Sequence, residues 1–113
     1  MPVISLETAM QHLRYPDDEP EYITLLMDAA EDHAMQFLDR RFYADQQSLD
    51  AAVEQGSAGD RPMLINASIT AACLLILGHL HAHREEVVIG TTSSRLPAGS
   101  INLLTPYRIG MGI

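Results

Sequence analysis

Between Arg61 and Arg84 the chain carries no charged side chain, and from Ala71 to Leu77 every residue except Cys73 is aliphatic. A stretch this apolar on all sides must be surrounded by other elements, so the rest of the chain has to pack around it. It reads as one long apolar central helix over about 61–86, with Asp60 as N-cap, Pro62 in the first turn and no later proline before Glu86. Leu74, Leu75 and Ile76 are the expected core, packed on Phe37, Ala34 and Ala30 of the preceding helix. A membrane span is the rival reading, but a span needs about 20 predominantly apolar residues. Asn66, Ser68, Thr70, His79, His81 and His83 dilute this one. Ala67, Ala71, Gly78 and Ala82 fall within about 60° of one another around a helix. Mid-helix Gly78 costs about 1 kcal/mol relative to alanine, which a closely packed neighbouring helix would justify; chance spacing is the plainer alternative.

Length supports one domain, and aromatic residues at 5% with no tryptophan leave the core to aliphatic and methionine packing. Net charge is −8, from seven arginines, no lysine and fifteen carboxylates. That balance argues against a nucleic-acid footprint, which needs a basic face to displace counterions. Residues 1–60 hold thirteen acids against Arg14, Arg40 and Arg41, whereas 61–113 hold Glu85 and Glu86 against four arginines. Such asymmetry suits head-to-tail association as well as ordinary surface variation. No secretory segment follows Met1, which points to a cytosolic origin.

In chain order, Ser5 caps a short helix over 5–14 in which Leu6, Met10 and Leu13 share a face. Asp17, Asp18 and Glu19 form an acidic turn, with Asp18 and Glu21 at capping-box spacing. A second helix over 21–41 places Ile23, Met27, Ala30, Ala34, Phe37 and Leu38 on one side and Asp28, Glu31, Asp32 and Asp39 opposite. Such a stripe is most often just a solvated face, but Met35 lies inside it, and an apolar residue among carboxylates hints at a contact surface. A short helix over 46–54 stops at Gly56, and no strand pattern is convincing. The helical domain therefore covers 1–86. Residues 87–113 read as a loop, one helical turn capped by Ser100 and ended by Pro106, and an extended C-terminal arm. The arm's apolar composition predicts that it lies on a surface.

Sites for chemistry are weak. His79 and His83 face the same way on a helix and Glu86 could join them, but His81 points away and no complete ligand set forms. Cys73 has no local base and reads as a small buried hydrophobe. No phosphate-binding loop follows a strand. Neither catalytic residues, a metal nor a cofactor is expected.

The layout resembles the tailed-phage head-tail connector family, the small helical adaptor or head-completion proteins of long-tailed phages. The resemblance rests on the short first helix followed by Asp17-Asp18, the spacing of Ile23, Leu26, Ala29 and Ala30, the proline at 62, and Arg84-Glu85 closing the long apolar helix. Pro97, Gly99, Leu103-Leu104 and Pro106-Tyr107-Arg108 complete it. The family commonly has an aromatic where His81 stands. Membership would imply a non-enzymatic virion protein at the head-tail interface, assembled in the host cytoplasm, with no membrane association. It would form a homo-oligomeric ring of about a dozen subunits, closed by heterologous contacts. Its partners would be the portal protein and a tail-side completion or terminator protein, and DNA would pass through without specific binding. On that reading Arg95, Leu103, Leu104, Tyr107, Arg108, Ile109 and Met35 are candidates for the subunit or portal interface. Asp17, Asp18, Glu19, Asp28, Glu31, Asp32 and Asp39 are candidates to face the channel. The alternative is a small helical dimeric regulator or antitoxin-like protein that binds a basic partner through the acidic second helix.

Overall fold

Capping side chains open three of the described α-helices, and a proline stands at the start of the other two. The computed structural model describes residues 3–14, 19–59, 61–82 and 97–108, and within them the chain is mostly helical. Helix α1 spans Leu6–His12, where the Ser5 hydroxyl accepts the Thr8 amide at 3.2 Å, and it buries Ala9. Helix α2 spans Pro20–Leu38, with the proline in its first turn. Glu19 is its N-cap residue but makes no capping bond through its side chain; Asp17 and Asp18 lie outside the described residues. The helix ends three residues before the expected Arg41, because Asp39 turns left-handed at φ 56°.

Phe42–Tyr43 (β1) and Met63–Leu64 (β2) form a two-stranded parallel sheet, with Phe42 opposite Met63 and Tyr43 opposite Leu64. No strand was expected here, since two-residue strands are too short to show an alternating pattern. Helix α3, Gln46–Glu54, links them, with Asp45 accepting the Ser48 amide at 2.8 Å. That bond holds the Asp45 carboxyl below its ordinary pKa.

Pro62 therefore precedes a strand and does not open the long helix. Helix α4 covers Ala67–Ala82, starting six residues later than expected, and the cap is Asn66, whose Oδ1 accepts the Ile69 amide at 2.9 Å. Asp60 and residues 83–86 lie outside the described residues. Ile69, Ala72, Cys73, Ile76, Leu77 and Leu80 are buried. Leu75, expected at the centre of the core, is 40% exposed, and Leu74 is half-buried. A helix apolar on every side gives no periodic signal for which face turns inward.

Helix α5, Ala98–Leu104, and a 3-10 turn, Thr105–Tyr107, pack back on this core. Pro97 stands at the N-cap, and Ser100, expected as the cap, is buried inside the helix with its hydroxyl donating to the Pro97 carbonyl at 2.6 Å. The expected helical turn is present and starts earlier, at Ala98; of the expected extended arm only Tyr107, which closes the 3-10 turn, and Arg108, in extended backbone, are described, and residues 87–96 and 109–113 lie outside. A side chain at Gly99 would come within 3.2 Å of Leu75 Cδ1, so this glycine permits the close approach of α5 to α4. The anticipated small-residue seam at Gly78 is absent, because Ala67, Ala71 and Ala82 are exposed.

Candidate functional site

Helix α2 divides its residues sharply. Ile23, Leu26, Met27, Ala30, Ala34 and Leu38 are fully buried toward the core, and α2 packs against α4 there. Asp28, Asp32 and Asp39 are exposed on the opposite side. Met35, half-buried between these faces, sits in the shared wall of two adjoining grooves. The first, of about 340 Å³, runs between Asp32, Gln36 and Asp39 on one side and Arg40, Arg41, Ala58 and Gly59 on the other. The second, of about 440 Å³, extends past Asp28 and Asp32 to Val3, Phe42, Tyr43 and Ser48. Asp32, Met35 and Arg41 belong to both. Strand β1 and the 58–59 connection thus build one side of a continuous depression, and α2 supplies its acidic side.

Glu31 departs from this stripe. It is only 4% exposed and cannot face a channel, because its two carboxylate oxygens accept the backbone amides of Val3 and Ile4, each at 2.8 Å. Burial raises its pKa above 4.5, and the nearby Asp28 pushes the same way, while the two amide bonds oppose them. Periodicity did carry a signal: Glu31 stands four residues after Met27 and seven before Leu38, in line with the buried face. Beneath it, Cys73 is fully buried, its pKa pushed up to about 12 by burial and then by the Glu31 charge. A thiol so protonated is no nucleophile at neutral pH.

The candidate interface residues scatter. Leu104 is fully buried in the chain's own core and is not available to a partner, and Leu103 packs partly against that core. The Arg108 guanidinium lies 4.6 Å from the ring centroid of the half-buried Phe37, a cation–π contact. Arg40, not singled out from the sequence, ties this corner together. Its Nε donates to the Arg61 carbonyl at 2.7 Å and its Nη1 to the Tyr107 carbonyl at 3.2 Å. A basic residue just beyond a helix end was the available clue. Arg95 and Ile109 lie outside the described residues. His79 and His81 are half-buried on α4 and His83 lies outside; among the described residues no group of three potential ligands could hold a metal ion. No helix among them is long and apolar enough to cross a membrane. In comparisons with known proteins the chain matches no family model, no curated protein and no solved structure.

Proposed function

We propose that the chain is a non-enzymatic virion protein, a small helical bundle around α4. On this reading it assembles as a closed ring between the portal and the tail, extends the DNA channel and offers a platform for tail completion. The observation that supports the reading is the signature running from Pro97 to Arg108, of which Gly99, Leu104 and Arg108 make contacts that depend on their residue type. Pro97 starts α5, Gly99 allows its approach to Leu75, and Leu104 fills the core. Pro106 lies in the first turn of the 3-10 segment, Tyr107 offers its carbonyl to Arg40, and Arg108 covers Phe37. These contacts tie the C-terminal signature to the fold, and the order and spacing of the motifs carry the resemblance to head-tail connectors.

The charge distribution supports the same reading. Glu19, Asp28, Asp32 and Asp39 are each exposed on α2 or at its ends, in a chain without lysine. A lumen lined by such acids repels phosphates, so DNA slides without adhering. The portal and a tail-side completion protein are the partners this role requires, at the head-tail interface of the virion, with assembly in the host cytoplasm. Negative-stain imaging combined with duplex binding tests it. Closed rings, or a monomer that closes into rings on the portal, together with no tight salt-sensitive DNA binding, are expected; a fixed dimer at all concentrations overturns it.

A further inference from the structure

Residues Val3 and Ile4 form a short strap on α2, and its fastening is specific. Their two consecutive amides converge on one carboxylate, Val3 donating to Oε1 of Glu31 and Ile4 to Oε2, each at 2.8 Å. Such charge-assisted bonds from successive amides are of the stronger kind. The Ile4 side chain completes the hydrophobic core, while half-buried Val3 lines the larger groove. Glu31 lines the same groove. The strap therefore fills a seat with a carboxylate at its polar end, a place for one aliphatic side chain in the core, and an open side toward Phe42, Tyr43 and Ser48.

The bonds that start α1 do not involve the strap. The Ser5 hydroxyl accepts the Thr8 amide at 3.2 Å and the Ser5 carbonyl accepts the Ala9 amide at 3.1 Å, so the helix stays capped when the chain before it lifts. Ser5 itself has extended backbone, φ −67° and ψ 150°, and is the natural hinge. A segment near the chain end, fastened through two residues, opens at lower cost than the helices beneath it. Because Glu31 borders a groove, its carboxylate is hydrated as soon as the strap leaves, and the departing amides find water too. What stays behind on α2 is a receptor for main chain.

We infer that Val3–Ile4 is a releasable strap that occupies, within its own chain, a docking seat for an extended segment of a partner protein. That segment offers two consecutive backbone amides to Glu31 and an aliphatic side chain, carried by the second residue, to the core. The occupant's chemistry is read from the segment already seated there. The strap competes with it from a tether, which keeps its local concentration high, so a partner enters only as the strap lifts. This seat goes beyond the ring reading and does not depend on it.

A fluorescent, N-acetylated peptide with the sequence of residues 3–8, titrated by anisotropy against the full chain, tests the seat. Ile4→Asp, which sets an acid beside Glu31 and expels the strap, should bind the peptide about tenfold more tightly than the parent. Methylating the peptide's isoleucine nitrogen, or adding Glu31→Ala to the strap-released version, should each weaken that binding about tenfold. Ile4→Gly, which removes the side chain without adding a charge, decides the matter if Ile4→Asp loses its helical circular dichroism. Equal binding by the parent and a folded strap variant, no binding by that variant, or undiminished binding of the methylated peptide overturns the inference.

Discussion

Replacing Glu31 by alanine isolates the contact that holds the N-terminal segment to α2. The carboxylate satisfies two backbone amides at 2.8 Å, one of them on Ile4, which is itself 6% exposed. Leaving a buried amide without an acceptor costs about 1–3 kcal/mol, while the half-buried Val3 amide can turn to water and contributes less. Removing a buried charge offsets part of this, and its sign follows from the raised pKa. The native state binds the Glu31 proton more tightly than the unfolded chain, so the group's contribution to stability is full below the unfolded value of 4.5 and declines as pH rises through the folded value. Glu31→Ala should therefore destabilise by about 1–3 kcal/mol in urea titrations, with the deficit smaller near neutral pH than near the unfolded pKa. Hydrogen exchange at the Ile4 amide should lose its protection. A variant within about 0.3 kcal/mol of the parent, with Ile4 still protected, would refute the account of this contact.

Other substitutions probe separate parts of the fold. Gly78→Ala should stabilise by about 1 kcal/mol in thermal melts, since the added Cβ meets only His12 Nε2, at an ordinary 3.5 Å; a loss of stability would mean a tighter contact there. Ile76→Ala should cost about 2–5 kcal/mol and Leu75→Ala distinctly less, because the first is 1% and the second 40% exposed; equal losses in denaturant titrations would contradict the orientation of α4. Asp39→Gly should raise the denaturation midpoint by about 0.5–1 kcal/mol equivalent, because it relieves a left-handed non-glycine backbone and removes an acid from the negative end of α2.

How much of this was legible in the sequence differs from element to element, for physical reasons. Helix α2 announced its buried and exposed faces through the period of Ile23, Met27, Ala30 and Ala34, and α1 and α3 through Ser5 and the run ending before Gly56. Helix α4 could not be oriented, since an all-apolar helix has no polar face to mark the outside. Its start was misplaced because Pro62 is a strong helix-opening signal, whereas the actual cap, Asn66, sits inside the run. The parallel pairing of 42–43 with 63–64 joins segments twenty-one residues apart and has no local signature. Leu104 was assigned to a neighbour because one small domain was expected to lack a place for it, yet the surplus apolar surface of α4 supplies that place. Within the site, the acids at 28, 32 and 39 and Met35 were found from spacing alone. The second wall was not, because it comes from β1 and residues 58–59, which approach α2 only in three dimensions.

The central claim is assembly, and the mass of the assembled particle tests it most directly. On the proposed connector reading, native mass measurement of the purified chain, alone and mixed with the portal protein that reading requires, should give a closed ring of about a dozen subunits, formed alone or on the portal. A dimer unchanged by concentration and by the portal would contradict it.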